Sequence, residues 1–232
     1  VSPEYELELV AAHVERFLQQ DGAQDYTIAV LAPENSHGFK LAELLKARGV
    51  AYEELLRSTS ATRQAAAMIY HVLAYLGEPL NPRLLSALYR EVWRPGPHRL
   101  SLDDSQVEMA VRALNGCREP ERFLWPVGGS DWLRGVAAFA QEPDIRDDLE
   151  AFRGRVRLWL EATTLPVDQL VLTITQDCFT GPSEIALGYK IAVVLRDIAE
   201  SNPDWRLPEF AAELRLISEN ERKFIGFDDV EK

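Results

Sequence analysis

The chain has 232 residues, enough for one or two domains with a real hydrophobic core and therefore no need of disulfide staples. Charged residues at 27% and hydrophobic residues at 47% exclude a disordered tail, and no apolar run reaches bilayer length, so no membrane partner is expected. With 37 acidic against 25 basic side chains the formal net charge is -12, which excludes nucleic-acid binding by bulk positive charge and leaves room only for a local basic groove.

Taken in chain order, Ser2-Pro3 offers a cap and a first-turn proline, and Leu7, Val10, Ala11, Val14, Phe17 and Leu18 recur at helical spacing, which predicts a helix to about Gln20. The run from Tyr26 to Ala32 (YTIAVLA) is apolar throughout and partly β-branched, as in a buried strand of a parallel sheet. A loop at Pro33–Gly38 is expected next. A helix carrying Phe39, Ala42 and Leu45 then ends at Gly49, and Val50-Ala51-Tyr52 returns as a second short strand. Residues 26–54 therefore read as a βαβ unit. Two strands do not make a stable sheet, so the remainder of that sheet is expected outside this chain, which opens at Val1 and reads as a piece of something longer.

From Ser58 onward every periodic segment reads as helix. Ala65, Ile69, Val72, Leu73 and Leu76 form one stripe before Gly77, and Asn81-Pro82 starts a helix through Leu84, Leu88 and Val92. Two prolines and a glycine make Trp93–Arg99 a loop. A helix is predicted from Ser101 through Leu114, an irregular stretch over 117–129, and helices at about 144–162, 166–178, 183–201 and from Pro208 through Ile217. The fold class expected is mainly α, with a small partial α/β piece and a large all-helical subdomain. The boundaries fall at 1–57, 58–218 and a charged return linker at 219–232.

Several chemistries are missing by pattern. No Gly-Lys pair supplies a phosphate loop, and no G-x-G-x-x-G follows Ala32. The four histidines His13, His37, His71 and His98 lie far apart and form no metal motif; His71, beside Tyr70 and Val72, reads as part of a helix face. Phe224–Asp229, an apolar run into two carboxylates, reads as a solvated linker. The two cysteines, Cys117 and Cys178, are too few for a metal box or a disulfide framework and point to a reducing cytoplasm.

Two basic clusters stand against the acidic background. Arg83, Arg90 and Arg94 lie near one helix face, extended by His98 and Arg99, and Arg146, Arg153 and Arg157 repeat the spacing with Arg155 nearby. Guanidinium forks suit phosphates, although a solvated stripe with acidic neighbours explains the same spacing. Asn35-Ser36-His37 lies where open α/β sheets bind ligands, at the carboxyl end of a strand and the start of a helix; Asn35 serves equally well as a plain helix cap.

In order, EYELELVAAHVERFLQQ, YTIAVLAPENSHGFKLAELLKARGVAYEELLR and AYLGEPLNPRLLSALYREVW resemble the UvrD/Rep/PcrA-type superfamily 1 DNA helicases, and LEAFRGRVRLWLEATTLPVDQLVLTITQDCFTGP and LPEFAAELRLI resemble the closing helices of their inserted subdomain 2B. The resemblance covers nearly the whole chain. It implies that 1–57 is part of the second RecA-like domain, of the P-loop NTPase type, and that 58–218 is the 2B-like insertion. It implies a parent enzyme that unwinds DNA 3′ to 5′ in replication or repair using ATP and Mg, with no cofactor and no catalytic residue in this piece. Asn35 matches the family's loop asparagine near single-stranded DNA, with His37 and Lys40 beside it, while Ala32 and Pro33 stand where the family has an aromatic and an arginine. Arg94-Pro95-Gly96-Pro97-His98 replaces the family's glycine-isoleucine-glycine turn. Prolines have no amide to offer a phosphate, so duplex contact here falls to the side chains of Arg90, Arg94, His98 and Arg99. The competing readings are an acidic helical module that recruits a basic protein partner, and the corresponding region of a helicase-nuclease.

Overall fold

The computed structural model describes residues 3–20, 26–32, 35–52, 60–128 and 131–219. The chain is mainly helical and divides into two compact units, one reaching to Ser60 and the other beginning at Ala61.

The first unit holds α1 (Pro3–Leu18) and α2 (Asn35–Ala47). Ala11, Val14, Leu41 and Leu45 form its core, with Leu7, Val10, Leu44 and Val50 packed around them. Glu4, early in α1, pairs with Lys40 at 3.4 Å, while Glu15, late in α1, pairs with Arg48 just past α2 at 2.8 Å. Early residues meet early ones and late meet late, so the two helices run parallel. Gly49 takes φ +69° to end α2, a conformation that costs glycine least. Parallel helices require the chain to travel back between them. Phe17 meets Tyr26 edge-on with ring centroids 6.3 Å apart, so the run from Tyr26 to Ala32 sets out from the far end of α1 and leads to the start of α2.

That run departs from the sequence expectation. It forms no strand, and Tyr26, Ile28, Val30 and Leu31 are exposed, Leu31 at 93%. The return at 50–52 forms none either, and residues 53–54 lie outside the described residues. A strand exists through the hydrogen bonds of its neighbours, and among the described residues no second strand is there to supply them. The expected βαβ unit is corrected to two parallel helices joined across an unpaired apolar run. The expected loop is also shorter, because Asn35–Gly38 already belong to α2.

The second unit opens with α3 (Ser60–Gly77), whose stripe Ala65, Ile69, Val72, Leu73 and Leu76 is buried as its periodicity predicts. Asn81 caps α4 (Pro82–Leu88) by accepting from the amide of Arg83 at 3.1 Å. The helix then widens into a π-turn over Tyr89–Trp93. The helix expected from Ser101 begins instead at Asp104, since Asp103 and Gln106 form a reciprocal capping box there: α5 is Asp104–Asn115. The stretch expected to be irregular contains α6 (Pro120–Leu124), which burial of Phe123 and Leu124 holds in place, and α7 (Trp132–Gly135) follows with Asp131 as its cap. Next come α8 (Pro143–Glu161), α9 (Val167–Cys178), α10 (Pro182–Ser201) and α11 (Leu207–Ser218), close to their predicted bounds. The expected linker at 219–232 lies outside the described residues beyond its first position.

Phe152 of α8 sits at the middle of an aromatic core, with Tyr89, Trp93 and Phe123 rings at 5.2, 5.7 and 6.3 Å. Such pairs add to burial through their offset and edge-on geometry. Elsewhere α9 and α10 approach so closely that a Cβ on Gly188 would meet Thr175 at 2.3 Å.

Candidate nucleic-acid interface

The basic residues after α4 are sorted by one carboxylate. Asp148 of α8 is fully buried. Its Oδ2 accepts from the Tyr89 hydroxyl at 2.7 Å and the Trp93 indole at 3.1 Å, and its Oδ1 accepts from the Leu100 amide at 2.8 Å and from Arg94 at 3.5 Å. The π-turn makes this convergence reachable, because its i→i+5 bonding, with the Arg94 amide on the Tyr89 carbonyl, brings residues five apart toward one side. Arg94 also donates to the Leu100 carbonyl at 3.0 Å, and Arg99 donates to the Arg94 carbonyl. The Trp93–Leu100 loop is thus closed across its base. Burial, the Asp148 hydrogen bond and its charge together hold the Tyr89 hydroxyl far above the usual tyrosine range, so it stays a donor at every working pH.

Of the expected duplex contacts, Arg94 is nearly buried, its side chain 12% exposed, and committed to the loop base. His98 and Arg99 remain exposed on the loop. Arg90 is exposed and paired with Glu108 of α5 at 2.7 Å, a surface pair that contributes little to stability and that a phosphate can displace. Arg83 is exposed at the start of α4. The structure therefore leaves Arg90, His98 and Arg99 exposed and sets Arg94 to a different task.

In the first unit, α2 starts at Asn35, the side chain of which lies outside the described residues. His37 is half-buried in the first turn of α2, and Lys40 is exposed but tied to Glu4.

The second basic cluster is structural. Arg153 is buried, donating to Asp131 at 2.8 Å, Glu150 at 3.2 Å and the Phe123 carbonyl at 3.3 Å, with its guanidinium 6.0 Å from the Phe123 ring centre. Arg155 pairs with Asp177, which also accepts from the Trp159 indole at 2.8 Å. Of that cluster Arg157 is exposed, while Arg146 is half-buried.

Sequence reasoning passed over Asp148, Asp131 and Asp177, the carboxylates on which these cations depend. A signal existed for the first. Ile145, Asp148, Leu149, Phe152, Val156 and Trp159 lie along one face of α8, and an acid inside an apolar stripe has to be paired where it is buried.

Other reactive groups are withdrawn from chemistry. Burial, helped by the charge of Asp177, pushes the Cys178 thiol up to about 12, and burial pushes Cys117 up as well, so neither presents a thiolate. Among the described residues no group of three His, Cys, Asp or Glu side chains converges as a metal site, and no helix is long and apolar enough to cross a membrane. A groove of about 380 Å³ near the start of α9 and the end of α10 is lined by Asp168, Arg196, Glu200, Trp205 and Phe210 among others.

His71 on α3 carries a testable electrostatic signature. Its desolvation lowers its pKa below the ordinary 6.5, and the charge of Glu91 opposes that only in part. The unfolded chain therefore takes up a proton first as pH falls, so the contribution is complete above about 6.5 and is lost as pH drops toward the folded value. Denaturant titrations at about pH 7 and about pH 5.5 should show lower stability at the acid end. Replacing His71→Gln should flatten that difference, and an unchanged slope in the variant would assign the effect elsewhere.

No protein-family model matches the chain, and no curated protein or solved structure matches it either.

Proposed function

We propose that this chain is the 2B-bearing part of a UvrD-like, ATP-dependent 3′–5′ DNA helicase acting in DNA replication or repair. It supplies a helical scaffold and a DNA-contacting regulatory surface, while ATP and magnesium are bound by other parts of the enzyme. The observation that supports this reading most is the build of the first unit. Helices lying on one face of a doubly wound sheet run parallel to each other and opposite to the strand that links them. α1 and α2 have that relation, and the apolar run at 26–32 makes the return between them. A strand of that length spans about 23 Å, close to the ~24 Å of a helix the length of α1. The exposed Ile28, Val30 and Leu31 are apolar side chains that the neighbouring strands of a RecA-like sheet would cover.

The large helical second unit fits the 2B insertion, and its loop at Arg94–Leu100 offers cations on an acidic molecule. Asn35, His37 and Lys40 at the start of α2 are proposed to lie toward single-stranded DNA, and Arg90, His98 and Arg99 toward the duplex. The cell interior is the proposed setting, with basic proteins as further partners of the acidic surface.

The test is fluorescence anisotropy with forked DNA and the 232-residue chain, titrated from low salt upward. Weak binding is expected, with log K falling against log salt at a slope of about -2 to -3, since each phosphate contact contributes roughly -0.9. No ATP hydrolysis should accompany it. Absence of any association at the lowest salt would overturn the DNA reading in favour of an acidic module for protein partners.

A further inference from the structure

The structure assigns Asp148 a positioning role: it closes the Arg94–Leu100 loop from inside the helical unit so that Arg99 and His98 are held out as a preformed phosphate contact. The inference rests on the DNA-binding function proposed above and names the device that makes this loop competent for it.

Asp148 holds both ends of the loop at once, Trp93 and Arg94 at its start and the Leu100 amide at its finish. A carboxylate with no exposed surface needs hydrogen-bond donors around it, and four groups supply them here. The cations divide the labour. Arg94 neutralises Asp148 and ties down the Leu100 carbonyl, which removes it from the surface. Arg99 meanwhile uses one nitrogen on the Arg94 carbonyl and remains exposed, so the guanidinium is oriented by the loop's own backbone while other donors stay available. The composition of the loop acts in the same direction. Pro95 and Pro97 have no amide for a phosphate and fix their own φ, and the Gly96 amide is already committed to the Val92 and Trp93 carbonyls, so the loop is stiff and an anion contact falls mainly to side chains.

A side chain already held in its bound geometry loses little entropy on binding, and that is the benefit the clamp confers. Removing Asp148 should leave Arg99 present but disordered. The effect on binding should therefore match that of removing Arg99 itself.

The experiment is a double-mutant cycle on forked DNA, with affinity and salt slope measured for Asp148→Asn, Arg99→Gln and the pair, each checked for folding by circular dichroism. Each single variant should bind about tenfold more weakly, with a slope shallower by about 1, as expected when one phosphate is no longer neutralised. The double variant should be no weaker than either single. Leu100→Pro provides the second route, because it deletes the amide that Asp148 accepts while the Leu100 side chain is itself 43% exposed. It should reproduce the same reduction in slope. A folded Asp148→Asn or Leu100→Pro protein with the parent affinity and slope, beside an Arg99→Gln protein in which both have fallen, would overturn the positioning role while leaving DNA binding intact. A parent chain that never binds the fork would overturn the function and this role together. Simple destabilisation moves the fraction folded but not the salt slope of the folded molecules, so the slope separates positioning from support.

Discussion

Replacing Asp148→Ala is expected to lower the stability of the helical unit by about 3–5 kcal/mol, the range for breaking a buried charged pair from one side. The substitution removes the acceptor for the Tyr89 hydroxyl, the Trp93 indole and the Leu100 amide, and it strands the Arg94 guanidinium, which is nearly buried. Each buried donor left without a partner carries a penalty of about 1–3 kcal/mol, and water entering the gap recovers part of it. For a unit of this size each kcal/mol shifts the midpoint by about 2–4 °C, so the melting temperature should drop by roughly 10 °C. Asp148→Asn keeps the shape and one acceptor oxygen, and should fall between the parent and the alanine variant. Tyr89→Phe removes one donor and leaves the carboxylate with its other partners, so its effect should stay near ~1 kcal/mol. An alanine variant within about 1 kcal/mol of the parent in urea titrations would mean that the carboxylate is not what holds the loop to α8.

Gly188→Ala is the second large expectation, with a loss of about 3 kcal/mol, at the upper end of what overpacking does. The added Cβ would lie 2.3 Å from both Cγ2 and Oγ1 of Thr175 and 2.9 Å from its Cβ, far inside contact distance. Thr175 is itself buried, and among the described residues its hydroxyl has no hydrogen-bond partner. α9 and α10 would have to separate or rotate, which opens packing around Leu170, Ile174, Ile191 and Leu195. Thr175→Ala in the parent should be close to neutral, since it removes a buried methyl but also an unsatisfied buried hydroxyl. Combined with Gly188→Ala it should restore part of the stability and not all, because the Cβ-to-Cβ clash remains. If Gly188→Ala melts with the parent, the two helices do not approach each other this closely.

Both effects depend on contacts between different helices, beyond the reach of spacing within one helix, which also explains what the sequence made legible. Helices with a continuous apolar stripe could be read from spacing: α3 buries the face that its spacing predicts, α8 and α9 lie close to their predicted bounds, and Asn81 caps the helix that it and Pro82 announce. The short elements could not be read. α6 and α7 are too short to stand on propensity, and they exist because Phe123 and Leu133 are buried by other helices. The start of α5 shifted from Ser101 to Asp104 because Asp103 and Gln106 satisfy two amides where Ser101 satisfies fewer. The run at 26–32 was the opposite case. Its composition says strand, yet composition cannot provide the neighbour that a strand requires.

The candidate site divides in the same way. Arginine spacing singled out Arg90, Arg94, His98 and Arg99 as a cluster, and the prolines beside them ruled out amide contacts, both local facts written in the chain. What each cation does is a matter of which carboxylate reaches it. Asp148 lies 54 residues from Arg94 and 48 from Leu100, a separation over which no periodicity carries information. The sequence by itself determined a mainly helical chain, its acidic balance, most of its long helices and the loop that bears the cations, because those follow from spacing within one or two turns. Only the tertiary structure decided that Arg94 and Arg153 face inward while Arg99 stays exposed, that α1 and α2 run parallel, and that the apolar run between them meets no partner strand among the described residues. Burial and charge pairing are set by whichever distant segment packs against a residue, and that choice is made by the whole chain at once.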